Sequence, residues 1–207
     1  MHPSPSHLFV AFSLDVDPDA NTAVKGRLDA LSHPLEKGRA EVEATASGLG
    51  EVLGVLRELD LSATLFFEAR SAQLLAQRLD LITLTQGHEI ACHSLRHEDF
   101  LGKVSGMPLG KTQSQDIIAE SRALLEDLFH KEVVGFRAPY LRVNRNILSA
   151  LVELDFKYDS SVISDCLRPF CIVNSNPLWE FSIASLRHGL HGRLTSYLIP
   201  LFQGRKS

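Results

Sequence analysis

The order of apolar runs along the chain predicts an α/β protein built on a parallel sheet. Short apolar runs alternate four or five times with longer stretches in which apolar residues recur at helical spacing. This alternation is typical of parallel strands joined by helical crossovers. A barrel and an open sheet both fit the pattern, and in both we expect the chemistry at the carboxyl ends of the strands.

The predicted elements follow in chain order. Apolar runs predict strands at residues 8–14, 62–67, 89–92, 133–136 and 158–160, and helical periodicity predicts helices at residues 41–59, 72–81, 113–129 and 145–154. Residues 18–39 and 102–110 lack a period and are expected to form long loops, which are often functional. Near the end of the chain, residues 179–183 are a candidate strand, while residues 194–202 are apolar but undecided between strand and loop.

Length and composition limit the classes of function. A chain of 207 residues predicts one domain over residues 1–207. The formal net charge is -4 and the basic residues are scattered, so we do not expect a nucleic-acid partner. No segment approaches the ~18 apolar residues that a membrane span needs, so we expect no membrane partner either.

The cysteines and the N-terminal segment bear on the cellular compartment. Cys92, Cys166 and Cys171 are odd in number and form no CxxC pair, which favours reduced thiols. The segment MHPSPSHLFVAFSLDVD lacks the basic start and the long apolar core of a secretory signal. The sequence therefore predicts a cytoplasmic location.

Two aspartates, Asp15 and Asp17, stand at the end of the first predicted strand. Residues i and i+2 of a strand share a face, so both carboxylates could face one cavity. Two such carboxylates repel each other unless something neutralises them, and a metal ion is the usual partner. For this motif alone, a solvated turn is an equally good interpretation, because the segment is rich in turn-forming residues.

Two histidines, His93 and His97, follow the third predicted strand in the segment HSLRH. The i, i+4 spacing would place both imidazoles on one face of a helical turn, from which they can reach one ion. Glu98 and Asp99 could accept the second ring hydrogen of such a ligand. For the pair alone, surface histidines at the start of a helix are the more frequent case.

Taken together, the two motifs predict a metal site. One carboxylate, Asp17, and two histidines make a three-ligand set with open positions, which zinc hydrolases and non-haem iron oxygenases both use. Asp15 favours the hydrolase, because a hydrolytic site needs a base beside the activated water. The expected cofactor is one divalent ion, zinc by default, although nickel, cobalt, manganese or iron would also suit these ligands.

Further polar residues follow the fourth and fifth predicted strands. In GFRAPY, Arg137 can pair with a carboxylate and keep it ionised, and Pro139 stiffens the loop. The backbone N–H of Tyr140 could donate to an oxyanion. A strand–turn with an incidental arginine would be favoured for this motif alone. In YDSS, Asp159 could orient Arg137 or cap the next segment.

These motifs, in this order, resemble those of the polysaccharide deacetylase family, also called carbohydrate esterase family 4 or the chitooligosaccharide deacetylase homology domain. SLDVDPD matches the first motif of the family in the version with one residue between the aspartates. GHEIACHSLRH matches the second, RAPY the third and, in part, YDSS the fourth. The resemblance spans residues 8–183.

The resemblance implies a distorted, incomplete (β/α) barrel of parallel strands with outer helices. It implies that Asp17, His93 and His97 hold zinc or a similar divalent ion, with Asp15 as the base. It also implies that Arg137 holds Asp15 and that Tyr140 helps to bind the oxyanion. The expected reaction is hydrolysis of an N-acetyl or related amide on a sugar.

The sequence departs from the family at the last motif, Leu-x-His, whose histidine is the general acid. His188 matches it formally in Leu186-Arg187-His188, but it follows the WEFSI segment immediately. The segment SYLIPLFQGRKS resembles the approach to a strand that is missing, so we expect the chain to end before its general acid. The domain would then lack its last strand and motif, and a second subunit of a homo-oligomer could complete it.

The sequence leaves three alternative functions open. The first is a metal-dependent hydrolase that removes N-acetyl or related acyl groups from an amino sugar or polysaccharide. The second is a hydrolase of a small non-sugar linear or cyclic amide, which the lack of a secretory signal favours. The third is a metal-binding but catalytically impaired homologue.

Overall fold

The strands and helices lie where the sequence predicts alternation. The computed structural model describes residues 10–17, 24–28, 39–165, 168–173, 176–187 and 193–195. Over these residues the strands are β1 (Phe12–Val16), β2 (Ala63–Phe67), β3 (Glu89–Cys92), β4 (Gly135–Phe136), β5 (Tyr158–Asp159), β6 (Ile163–Ser164), β7 (Phe170–Val173), β8 (Leu178–Glu180), β9 (Ile183–Arg187) and β10 (Arg193–Thr195). The helices are α1 (Arg39–Glu58), α2 (Ala69–Leu75), α3 (Leu81–Leu84), α4 (Lys111–Phe129) and α5 (Arg145–Glu153), with a 3-10 turn at Pro139–Leu141.

Seven strands form the main sheet, in the spatial order β1-β2-β3-β4-β5-β8-β7. Neighbouring strands from β1 to β8 are parallel, and β7 runs antiparallel to β8. A smaller sheet has the order β10-β9-β6, in which β6 and β9 are parallel. The predicted class, an incomplete (β/α) barrel of parallel strands with outer helices, is confirmed.

The core lies between one face of the main sheet and the helices. Alternate residues of β2 point to opposite faces, so Leu65 and Phe67 are buried in the core. The ring of Phe67 contacts that of Phe129 on α4, with 4.9 Å between ring centroids. Phe66 points the other way and lies under the guanidinium of Arg137, whose Cζ is 4.0 Å from the ring centroid. The second face of the sheet therefore supports the predicted site.

Close contact between β4 and β5 depends on a glycine. A Cβ at Gly135 would lie 2.1 Å from the ring of Tyr158, so only glycine lets this ring cross β4. The hydroxyl of Tyr158 then donates to a carboxylate oxygen of Glu89 on β3, at 2.9 Å. The ring thus spans three strands on the face of the sheet that carries Arg137.

The predicted bounds of one helix are wrong. The expected helix at residues 72–81 is two helices, α2 and α3, separated by a turn. The physical reason is a new N-cap: the side chain of Asp80 accepts a hydrogen bond from the backbone N–H of Thr83 at 3.1 Å. That bond starts a second helix instead of continuing the first.

The prediction is also incomplete near the end of the chain. The candidate strand at residues 179–183 is divided between β8, in the main sheet, and β9, in the smaller one. Strand β7 was not predicted, and the apolar segment 194–202 begins as part of β10 and then lies outside the described residues. These strands pair with partners distant along the chain, which periodicity alone does not reveal.

The two predicted loops contact each other in the part of the chain that the structure describes. The backbone N–H of Gly26 donates to the carbonyl of Ser105 at 2.8 Å, and that of Asp99 donates to the carbonyl of Leu28 at 2.9 Å. These contacts pack residues 24–28 beside the segment that follows β3. Among the described helices, none is both long enough and apolar enough to cross a membrane.

Candidate metal centre and active site

The carboxyl ends of β1, β3, β4 and β5 bring the predicted residues together. Backbone hydrogen bonds tie the residue after each inner strand to its neighbour: His93 to the carbonyl of Phe67, Arg137 to that of Cys92, and Ser160 to that of Phe136. Their lengths are 2.8, 2.9 and 2.8 Å. The site residues therefore begin from backbone positions that the sheet itself sets.

Asp17, His93 and His97 form a cluster of potential metal ligands. One ligand atom from each lies within 4.8 Å of the others. The Nε2 atom of His97 is 3.5 Å from Oδ2 of Asp17, and the rings of the two histidines are 5.1 Å apart between centroids. Both histidines are buried, whereas Asp17 is partly exposed. The structure thus brings these three side chains together.

The tautomer of His93 follows from its hydrogen bond. Its Nδ1 lies 2.8 Å from the carbonyl oxygen of Arg137. Because a carbonyl can only accept, Nδ1 carries the hydrogen and the lone pair of neutral His93 is on Nε2. The loop that follows β4 thus orients the imidazole of a ligand that follows β3.

His97 reaches the cluster through a loop with unusual backbone angles. The predicted helical turn is wrong: residues 93–97 form no helix, and Ser94 and His97 have positive φ values of 72° and 56°. Residues other than glycine adopt this region only when surrounding contacts enforce it. Burial, and then the charge of His93, lowers the pKa of His97 to about 3, so its ring is neutral.

Glu98 supplies the contacts that enforce this loop. Its Oε2 accepts hydrogen bonds from the hydroxyl of Ser94 and from the backbone N–H groups of Leu95 and Arg96, the latter two at 3.2 and 3.0 Å. Burial raises the pKa of this carboxyl. The prediction that Glu98 accepts a ring hydrogen from a ligand is wrong, because Nδ1 of His93 donates to the carbonyl of Arg137 and Nδ1 of His97 has no hydrogen-bond partner among the described residues.

Asp99 also has a structural task instead of the one predicted. Its Oδ2 accepts the backbone N–H groups of Val104 and Ser105 at 2.8 and 2.9 Å. Among the residues that the structure describes, Nδ1 of His97 has no hydrogen-bond partner. Asp99 therefore closes the loop after the site and does not orient the histidine.

The donor set fits a divalent cation. Two ligand atoms about 2.1 Å from one ion in tetrahedral geometry lie roughly 3.4 Å apart, close to the 3.5 Å between His97 and Asp17. Two imidazoles and one carboxylate suit zinc and also nickel, cobalt, manganese or iron. The residues that could hold the ion are Asp17, His93 and His97.

Asp15 lies next to this cluster and is paired with Arg137. The Nη1 of Arg137 is 2.6 Å from Oδ1 of Asp15, and the Asp15 side chain is 32% exposed, so solvent can reach it. Burial alone would raise the pKa of Asp15, but the charges of His93 and Arg137 outweigh it and hold the pKa below the ordinary value. The carboxylate is therefore ionised and able to accept a proton.

Arg137 is itself held by four hydrogen bonds. Besides Asp15, its Nε donates to the carbonyl of Ser160, and its Nη2 donates to the hydroxyls of Ser13 and Ser160, each at 2.9 Å. None of these four hydrogen bonds joins Arg137 to Asp159, so Asp159 does not orient Arg137 by direct contact. Ser160, the next residue, makes the contact, because alternate residues of a strand face opposite sides.

The segment after Arg137 forms a tight turn beside His97. Pro139 is buried and starts the 3-10 turn, and Tyr140 and Leu141 both have positive φ, at 58° and 55°. The ring of Tyr140 packs edge-on against His97, with 4.6 Å between centroids. The turn thus places the ring of Tyr140 against one of the three clustered side chains.

Two residues that matter here, Ser13 and Glu180, were not assigned by sequence reasoning, and Glu98 was assigned a different role. Ser13 contacts Arg137, Glu98 holds the histidine loop as described above, and Glu180 is a buried carboxyl opposite Asp159. Ser13 could have been found, because it shares a strand face with Asp15. Glu180 could not, since its partner strand is identified only by the fold. The predicted alternative general acid, His188, lies outside the described residues.

Comparisons with known proteins identify the family of this chain. The family model for polysaccharide deacetylases matches residues 44–158, which is more than half of the chain. The chain therefore belongs to the polysaccharide deacetylase family. The matched region contains His93, His97 and the RAPY segment, whereas Asp15 and Asp17 lie before it.

Curated relatives and solved structures point the same way. The chain is 26% identical over 176 residues to a peptidoglycan deacetylase of Helicobacter pylori, covering 80% of this chain and 53% of that protein. It is 30% identical over 155 residues to the peptidoglycan deacetylase-like protein FGM2 of Gibberella zeae, covering 74% and 44%. The chain thus spans about half the length of the curated relatives it matches.

A crystal structure from Mycobacterium smegmatis, provisionally assigned as a polysaccharide deacetylase, shares the fold. Its TM-score is 0.67 at 24% identity, and the match covers 84% of this chain and 57% of that one. At this identity the likeness concerns the fold alone.

Proposed function

We propose that this chain is a metal-dependent hydrolase that removes an acetyl or related acyl group from the nitrogen of an amino sugar in a polysaccharide. The observation that carries the proposal is the pairing of Asp15 with Arg137 directly beside the Asp17, His93 and His97 cluster. Membership of the polysaccharide deacetylase family and the likeness to peptidoglycan deacetylases support the reaction class and the kind of substrate.

Asp17, His93 and His97 would hold the ion. A divalent cation at such a site lowers the pKa of water and polarises a carbonyl group. The loop after β3 carries both histidines, and the loop after β4 orients His93 through the carbonyl of Arg137. The family supports metal dependence, and zinc is our first choice among the ions that suit these ligands.

Asp15 is the proposed general base. It accepts a proton from the attacking water as the oxygen of that water forms a bond to the amide carbon. Arg137 keeps Asp15 ionised and fixes the direction of its carboxylate. The backbone N–H of Tyr140 is the proposed donor to the oxygen on which negative charge develops.

The amine that leaves when the carbon–nitrogen bond breaks needs a proton. His188 matches the general-acid motif of the family only formally, so we propose Asp15, once protonated, as the donor within the site. The likeness to a peptidoglycan deacetylase and to a peptidoglycan deacetylase-like protein supports an active enzyme over an impaired homologue.

The test compares chelator-stripped protein with protein reloaded with zinc, cobalt, nickel, manganese or iron. We expect acetate release from N-acetylglucosamine oligomers only after reloading. A parallel panel of small linear and cyclic amides separates the sugar substrate from the small-amide alternative. Equal, negligible rates for stripped and reloaded protein on every substrate would refute the proposal.

A further inference from the structure

A buried pair of carboxyl groups lies on two neighbouring strands of the main sheet, next to the strand that precedes Arg137. Asp159 on β5 and Glu180 on β8 are direct partners in the register of two neighbouring parallel strands. Both residues have 0% relative exposure. Side chains at paired positions point to the same face of a sheet, so the two carboxyl groups face each other without access to water.

Each carboxyl has one oxygen with a local donor and one without. The hydroxyl of Ser161 donates to Oδ1 of Asp159 at 2.5 Å, and the backbone N–H of Val162 donates to Oε1 of Glu180 at 3.0 Å. The second oxygens, Oδ2 and Oε2, are buried and have no donor from any other described residue. A proton held between the two groups would satisfy both atoms.

The surrounding charges favour a single proton on this pair. Burial, and then the neighbouring Asp159, raises the pKa of Glu180, and burial also raises that of Asp159. The charged group that acts on the pair from β4 is Arg137, which favours the ionised form of Asp159. Two carboxylates this close cannot both be ionised, so Glu180 keeps its proton and donates a hydrogen bond to Asp159.

The residues that follow Asp159 transmit this arrangement to the site. Ser161 uses its only hydroxyl hydrogen on Asp159, which leaves its oxygen to accept the backbone N–H of Ala138 at 2.8 Å. Ser160 holds Arg137 by its carbonyl and its hydroxyl. Loss of the shared proton would therefore disturb both the backbone next to Arg137 and the support of its guanidinium.

We propose that Glu180 is a positioning residue, which through Asp159 and the two serines keeps Arg137 aligned on Asp15. It does not touch the reacting atoms. The inference deepens the proposed function and rests on it for the role of Asp15. The arrangement of the pair itself does not depend on which substrate the protein hydrolyses.

The first experiment separates the need for a hydrogen-bond donor at position 180 from the need for a carboxyl group there. Glu180→Gln retains a neutral donor for Asp159, whereas Glu180→Ala removes it. We expect Glu180→Gln to keep kcat near the wild-type value at neutral pH, and Glu180→Ala to lower kcat roughly 10- to 100-fold with little change in KM. Glu153→Gln, which alters an exposed ion pair with Lys111, is the control. Equal losses in both Glu180 variants would overturn the inference.

The second experiment needs no activity. Because folding raises the pKa of Glu180, the folded protein keeps a proton that the unfolded chain releases above the ordinary glutamate range. The free energy of unfolding is thus highest below that range and falls as the pH rises towards the raised pKa. Glu180→Gln should show a smaller fall, because an amide cannot lose this proton. An identical pH dependence in the two proteins would overturn the inference.

A spectroscopic readout reports on Arg137 directly. In arginine-labelled protein, the NMR signal of the Arg137 Nε–H, assigned by its loss in Arg137→Lys, should move with pH in the wild type and stay constant in Glu180→Gln. If this titration is seen but no amide is hydrolysed, the proposed function fails and the linkage stands. If amides are hydrolysed but the signal moves equally in both proteins, the linkage fails.

Discussion

The proposed ligand cluster and the proposed base lie side by side but are held in different ways. His93 and His97 are 2% and 7% exposed and sit in one loop that Glu98 closes from within. Asp15 is 32% exposed and paired with Arg137, 122 residues further along the chain. Glu98 therefore holds the histidine loop from within, beside bonds from Ala69, Arg70 and Ser121, whereas the proposed base has one charged partner, which the fold brings from far along the chain.

This difference implies that ion binding and turnover can be lost separately. The histidine loop can persist without Asp15, because none of the bonds that hold it involves that carboxylate. The base, in contrast, requires the correct arrangement of β1, β4 and β5 at once. Substitutions in the two regions should thus produce different combinations of ion affinity and rate.

The largest expected effect is on rate alone. Asp15→Asn keeps the shape of the side chain but removes the proton acceptor, so we expect kcat to fall roughly 10²- to 10⁴-fold. Zinc affinity, measured by calorimetric titration, should stay near the wild-type value. A comparable loss of zinc affinity would show that Asp15 is a ligand and not the base.

The next effect is on ion affinity. His97→Ala removes one of the three proposed ligands, and we expect zinc affinity to fall by at least about 100-fold, the upper end of the loss when an outer-shell partner is removed. His130→Asn, at the exposed end of α4, removes an imidazole outside the cluster and is the control. Zinc affinity that is unchanged in His97→Ala would remove this residue from the ligand set.

The smallest of the three effects concerns the support of the base. Arg137→Lys keeps the charge but cannot reproduce four hydrogen bonds from three nitrogens, so we expect kcat to fall roughly 10- to 100-fold while zinc affinity is retained. Arg122→Lys alters another partly buried arginine, which bonds Glu126 and the carbonyl of Leu154, and serves as the matched control. Equal kcat values in the two variants would mean that the hydrogen-bond pattern of the Arg137 guanidinium is dispensable.

Much of the fold was predictable, because local patterns determine it. The strands around residues 12–16, 63–67 and 89–92 and the helix at 111–129 agree with the predicted elements to within a few residues. The errors have physical causes that are not local. Asp80 interrupts a predicted helix with a cap, and β7 and β8 join the sheet through pairing with strands formed by other parts of the chain.

The site divides in the same way. The meeting of Asp17 with His93 and His97 follows from the sequence, since carboxyl ends of parallel strands gather at one edge of a sheet. The conformation of the histidine loop does not follow. The i, i+4 spacing indicates a helical turn, whereas hydrogen bonds with Glu98, and with Ala69, Arg70 and Ser121 from outside the loop, hold the observed conformation with its positive φ values.

The sequence by itself determined which chemical groups collect at the strand ends, because each motif directly follows an apolar run. The tertiary structure decided which partner each buried polar group takes: the Arg137 carbonyl for His93, Ser160 for Arg137, and Glu180 opposite Asp159. The reason is that a buried polar group must find a partner without help from water. The partner available depends on strand register between segments far apart in the chain, which no local pattern specifies.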